Sequence, residues 1–339
     1  MTYFPQPSAR PSSEALSFPH AQPTPYQRML RTWTYAWWKP VVGLLVAALG
    51  FFIGAALVFF AVGAVWAAFQ GGSWAQDVQH DIDPNHVTPA SLLGTNLGLA
   101  SLIPVTWCIV RVVHRLRPRW LGSVVPGLRR SFLVLCLGLA AVAVVAQILV
   151  GSVLPGGAND LGTDHVNHFT GTAAASVVVI VLTTPLQAAG EEYLFRGYLL
   201  QAICSLVPRD WFKWVGITVS AALFAFAHGG QNPPLFFDRF AFGLIAAWLV
   251  TRTGGLEAGI ALHILNNFLA FGLALAFGDL TSTLTVSQVS WWNIVLTVTQ
   301  SGVYTLLVVW VARRRGLQIR TRPPHVEPDT SYGPAAATA

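Results

Sequence analysis

The sequence predicts an all-α fold, a polytopic membrane helix bundle of about eight transmembrane helices, and three observations carry that prediction. Of 339 residues 54% are hydrophobic and only 10% are charged, with a mean hydropathy of +0.56, more apolar surface than a soluble core of this size can hide. The apolar residues gather near 41–69, 91–113, 131–154, 172–194, 214–228, 236–251, 256–277 and 291–312. A helix needs about 20 mostly apolar residues to cross roughly 30 Å of hydrocarbon, and by that measure the fifth and sixth stretches are short. The third observation is the placement of the basic residues, which alternates from one connection to the next.

Loops on the cytoplasmic side hold the excess of Lys and Arg. Arg10, Arg28, Arg31 and Lys39 precede the first stretch, whereas the next loop carries Asp77, Asp81 and Asp83 and no basic residue. Arg111, Arg115, Arg117, Arg119, Arg129 and Arg130 mark an inner loop, followed by an outer one with Asp160 and Asp164. Arg209 and Lys213 return the chain inside, the loop at Gln231 is neutral, and Arg252 marks the next inner turn. Asp279 lies in the last outer loop, and Arg313, Arg314 and Arg315 close the last helix. The expectation is a multi-pass protein of the cell membrane with both termini cytoplasmic. The net charge of +6 is thereby read as topology, with lipid as partner and no nucleic acid.

The ends read differently from the middle. Residues 1–39, rich in Pro, Ser, Gln and Ala, are expected to form a disordered cytoplasmic tail, and so are residues 313–339. The bundle then occupies 40–312. The start has no charged head, short apolar stretch and small-residue cleavage site, so the first stretch is expected to stay as an anchor. Cys108, Cys136 and Cys204 share no metal-type spacing and are read as packing residues. No internal repeat is visible, which leaves an inverted-repeat transporter without direct support.

Ionisable groups inside a membrane segment are costly and point by default to function. Two of the chain's five Glu stand side by side in Glu191-Glu192-Tyr193-Leu194-Phe195-Arg196. Glu192 and Arg196 are four apart and pair on one helix face, while Glu191 is turned about 100° away and left to face something else. A buried ion pair that merely locks two helices would explain Glu192 and Arg196, yet it has no use for Glu191. Phe224-Ala225-Phe226-Ala227-His228 ends an apolar helix in a His, and His263 and Asn267 are again four apart on one face. Each alone reads as well as a capped helix end or ordinary interhelical glue. Together, a carboxylate, two imidazoles and a carboxamide between apolar walls are the groups that hydrolysis of an amide requires, a general base for water and donors for the oxyanion.

The ordered set Glu191-Glu192-x-x-x-Arg196, Phe224-x-x-x-His228 and His263-x-x-x-Asn267 resembles the signature of the CPBP family of intramembrane proteases, the CAAX-prenyl-protease and bacteriocin-processing-like proteins. The resemblance covers about 172–275, which it marks as the catalytic core. It implies an intramembrane endopeptidase of the glutamate type. Glu191 would activate water with His228 helping to hold it, His263 and Asn267 would donate to the oxyanion, and Glu192 and Arg196 would support them. A zinc ion, were one used, would take Glu191, His228 and His263; the family's glutamate mechanism uses the same residues, and no cofactor is expected. The implied partner is a protein or peptide substrate cut near its C-terminus. A scaffold or bacteriocin-immunity protein of the same fold is the alternative reading, and a proton-coupled transporter the third. One difficulty remains at this level, because Glu191 falls near the inner end of its own predicted stretch. A single long helix from about 173 to 207, kinked near Pro185, removes it.

Overall fold

The computed structural model describes residues 18–70, 83, 86–154 and 166–323. Among them there is no strand, and eight principal helices form the molecule: α1 (Trp38–Phe69), α2 (Pro89–Val112), α3 (Arg130–Gly151), α4 (Gly171–Leu206), α5 (Phe212–Phe226), α6 (Pro233–Thr253), α7 (Glu257–Phe277) and α8 (Trp292–Arg314). All but α5 are long and apolar enough to cross a membrane, and α1 exposes Leu45, Phe52, Leu57 and Phe69. Such a surface needs hydrocarbon as its solvent, and the chain is a multi-pass membrane protein. The stretch predicted at 214–228 is the departure. Its helix has 15 residues, about 22 Å at 1.5 Å per residue and short of a full crossing.

Local sequence sets the helix ends. Thr88 caps α2 with Ser91 in a reciprocal box, Thr170 accepts from the Ala173 N–H at the start of α4, and Asn232 accepts from Leu235 ahead of Pro233 at the start of α6. α2 breaks at Ser101, where Pro104 has no N–H for the Ala100 carbonyl and its ring crowds that oxygen. α4 runs unbroken for 36 residues through Pro185, so the long helix that the site demanded is present. After Glu192 its backbone widens into a π-helical turn, Tyr193–Leu199. There the Ser220 hydroxyl donates to the Phe195 carbonyl at 2.6 Å, tying α5 to the turn.

In the bundle α4 packs on α2 and α7, α3 lies against α7 and α8, and α5 and α8 flank α6. The first two turns of α7, Glu257 to Ile264, are buried all round. Arg129 holds that end with a two-pronged bond to Glu257, 2.9 Å from Nε and 2.6 Å from Nη2, and its Nη1 donates to the Thr253 and Gln318 carbonyls. Gly190 lets α4 meet the break in α2, because a Cβ there would lie 2.2 Å from the Leu99 carbonyl oxygen. That oxygen belongs to backbone and cannot swing aside. Gly190→Ala is therefore expected to destabilise by about 1–3 kcal/mol, read as a lower unfolding temperature in detergent. Gly138→Ala, whose Cβ meets nothing within 4 Å, should not; equal behaviour of the two would contradict the close approach.

The described parts of the two predicted tails correct the expectation of disorder. Tyr26, Met29 and Leu30 are fully buried, and the Tyr26 hydroxyl donates to the Leu121 carbonyl at 2.6 Å. Thr24 and Thr321 exchange hydrogen bonds of 2.9 Å, so residues 18–37 and 316–323 form one cap over the basic end of the bundle. A few apolar anchors and an extended backbone suffice for docking, and neither registers in overall composition. Residues 1–17 and 324–339 lie outside the described residues. Beneath the cap, burial and the nearby Lys39 push His114 down to about 4, and its Nε2 meets the Tyr198 hydroxyl at 3.0 Å, joining the end of α2 to α4.

Candidate active site

The two adjacent glutamates are separated by the turn of α4, as their spacing predicts. Glu192 is fully buried and accepts from Arg196 Nη1 at 2.7 Å. Among the described residues the Nε and Nη2 groups of Arg196 have no hydrogen-bond acceptor, and aromatic faces take that place. The guanidinium carbon lies 4.1 Å from the centre of the Phe224 ring and 5.8 Å from that of Phe242, a cation–π seat inside low-dielectric walls. Glu192 Oε2 faces the backbone of α7 where residue 259 is glycine; a Cβ there would stand 2.6 Å from that oxygen.

His263 lies between the two carboxylates. Its Nδ1 is 3.0 Å from Glu192 Oε1 and its Nε2 is 3.8 Å from Glu191 Oε2. Because a carboxylate oxygen only accepts, the first contact assigns a proton to Nδ1. Nε2 is then an acceptor in the neutral ring and a donor in the imidazolium. Sequence spacing pairs Glu192 with Arg196 alone, and the additional bond to His263 comes from α7 packing on α4.

Glu191 is buried but differently served. Its Oε1 accepts from Gln187 Nε2 at 2.6 Å, and its Oε2 has no hydrogen-bond partner among the described residues. The same Gln187 accepts through Oε1 from Asn267 Nδ2 at 2.9 Å. One amide therefore fixes the carboxylate of α4 and the carboxamide of α7 against each other, leaving a second N–H on Asn267. Gln187 escaped the sequence reading, although a polar residue one helical turn before Glu191 in an apolar stretch is a usable signal.

His228 follows the last turn of α5 and donates from Nδ1 to the Phe224 carbonyl at 2.7 Å. Its ring packs on Phe224 with centroids 4.7 Å apart, and the ring of His263 packs on the same Phe224 at 5.7 Å. Phe224, the apolar member of the second motif, is thus the common support of both histidines and of Arg196. Among the described residues no hydrogen bond joins His228 to Glu191, so the structure brings Glu191, His263 and Asn267 into one linked set and sets His228 beside it.

The same arrangement bears on a metal. Nδ1 protonation leaves Nε2 on both histidines as a lone-pair donor, the right chemistry for zinc beside a carboxylate. The geometry does not assemble it: among the described residues no three His, Cys, Asp or Glu side chains are grouped to hold a metal ion.

Two residues beside the site were overlooked in the sequence. Asp238 and Arg239 lie within α6, Asp238 accepting from the Thr297 hydroxyl and Arg239 donating from Nη1 to Gln231 Oε1 at 2.9 Å. Their signal was available as two charges in an apolar stretch.

Comparison with known proteins agrees with the motifs. Residues 173–269 match the family model described as type II CAAX prenyl endopeptidase Rce1-like. The chain is 22% identical over 222 residues to the uncharacterized protein YyaK of Bacillus subtilis (strain 168), covering 62% of this chain and 72% of that one. No solved structure matches. The segment that holds Glu191, His228, His263 and Asn267 is thus Rce1-like, similar at the level of the family to intramembrane endopeptidases of the CAAX type.

Proposed function

We propose that the protein is a glutamate-type intramembrane endopeptidase that hydrolyses a peptide bond near the C-terminus of a membrane-associated protein or peptide. The observation that carries this reading is the state of Glu191: buried, fixed through Oε1 by Gln187, with Oε2 unpartnered and 3.8 Å from His263 Nε2. A water bound to Oε2 gives up its proton there as its oxygen attacks the scissile carbonyl, and Glu191 then returns the proton to the leaving amine. His228 helps to hold that water. The oxyanion is met by the free N–H of Asn267 and, when the ring is the imidazolium, by His263 Nε2. Glu192 and Arg196 act through His263 by fixing its ring. Reconstitution in liposomes with lipid-anchored peptides, and mass spectrometry of the products, tests the reading; peptides that stay intact with folded wild-type protein would sink it.

No step of this scheme passes through a metal. Purified protein is expected to keep its activity in excess chelator and to contain no stoichiometric zinc. Inactivation by chelator with rescue by added Zn²⁺ would instead make Glu191, His228 and His263 ligands.

The basic residues of the cap, together with Arg129, Arg130 and Arg313 to Arg315, support the orientation with both termini cytoplasmic. With Cys108, Cys136 and Cys204 replaced, a cysteine at Ser282 should react with an impermeant reagent from outside, and one at Arg119 or Arg314 should not. Labelling at Arg119 from outside would reverse the orientation.

A further inference from the structure

Arg239 is a cation in a membrane-spanning helix to which the proposed chemistry gives no task. It is half-buried, and no carboxylate lies within ion-pair distance of it among the described residues. The neighbouring Asp238 is engaged with Thr297 on α8. Among the described residues Arg239 donates to Gln231 Oε1, and the direction of that amide is set, because Gln231 Nε2 donates to the Ala225 carbonyl at 2.7 Å. The glutamine oxygen therefore has to face the guanidinium. Gln231 sits three residues beyond His228, and Arg239 is within electrostatic reach of both His228 and Glu191. Unlike Arg196, which is fully buried, Arg239 is only partly covered.

We infer that Arg239 binds the C-terminal carboxylate of the substrate and so places the scissile bond a short, fixed distance from the chain end. The inference rests on the peptidase reading and deepens it. A half-buried guanidinium, steered by Gln231 beside the water-activating carboxylate, is the matched partner of a carboxylate, which it takes through two parallel bonds. In an apolar site a peptide with a neutral end leaves that cation without a counter-charge. A peptide with an anionic end supplies one, and the site thereby selects chain termini over internal segments.

The test uses palmitoylated peptides randomised over their last four positions, prepared once as free acids and once as C-terminal amides. Retention is measured on the full-length Glu191→Gln protein in liposomes and turnover on the wild type. The acid pool should be retained at least about tenfold better than the amide pool, the size expected for charge-assisted hydrogen bonds. Arg239→Gln should erase that advantage, while Arg239→Lys keeps part of it. Equal retention of the two pools, retention of neither, or a preference that survives Arg239→Gln overturns the inference. Acid-selective retention without wild-type turnover leaves the carboxylate site standing and defeats the peptidase reading. Turnover of both pools at one rate, slowed alike by Arg239→Gln, makes Arg239 an oxyanion donor and overturns the carboxylate site alone.

Discussion

Glu191→Gln is expected to lower peptide hydrolysis by at least about 10²–10⁴-fold, the usual contribution of a general base, while the protein folds and inserts as the wild type does. The amide is nearly isosteric with the carboxylate. Its oxygen can still accept from Gln187, whose Nε2 now meets Glu191 Oε1 at 2.6 Å, so the link to Asn267 persists. What disappears is the second oxygen, the one without a partner in front of His263. Glu191→Asp would keep the charge but withdraw it by one methylene from a site where 3.8 Å already separates the two groups. Turnover by Glu191→Gln at the wild-type rate would contradict Glu191 as the general base.

Glu192→Gln should act on stability first. It strips Arg196 of the one carboxylate paired with it among the described residues, in a fully buried setting, and an uncompensated buried charge costs about 3–5 kcal/mol. Lower expression and a lower unfolding temperature are the expected signature. From spacing alone, activity should fall only in step with the amount of folded protein. The bond from His263 Nδ1 to Glu192 Oε1 at 3.0 Å changes that expectation: the variant also loosens the ring that faces Glu191, so activity per folded molecule should fall as well. A Glu192→Gln protein as stable as the wild type would contradict the assignment of Glu192 and Arg196 as the structural pair.

The membrane architecture was legible because lipid imposes length and charge rules that a single sequence displays. α3, α7 and α8 lie within three residues of the stretches read from hydropathy. α5 was harder, since apolar content does not report where a helix stops; it ends at Phe226, before the His228 that the sequence reading placed inside it. The pairing of Glu192 with Arg196 followed from helical spacing. The seat of Arg196 did not, because Phe224 and Phe242 come from two other helices. Gln187 and Arg239 were missed for opposite reasons, one being uncharged and the other passed over in a tally of charges between helices. The π-helical turn after Glu192 leaves no mark in the periodicity of seven residues.

The central claim is that Glu191 cuts peptide bonds in the membrane, and native membranes offer the most direct measurement of it. Membrane-associated peptides and protein C-termini are compared by mass spectrometry in cells expressing wild-type protein and cells expressing Glu191→Gln at the same level. The account predicts a set of proteins shortened by a few residues at the C-terminus in the wild type and intact in the variant. Identical C-termini in the two membranes, with both proteins folded and equally abundant, would contradict it.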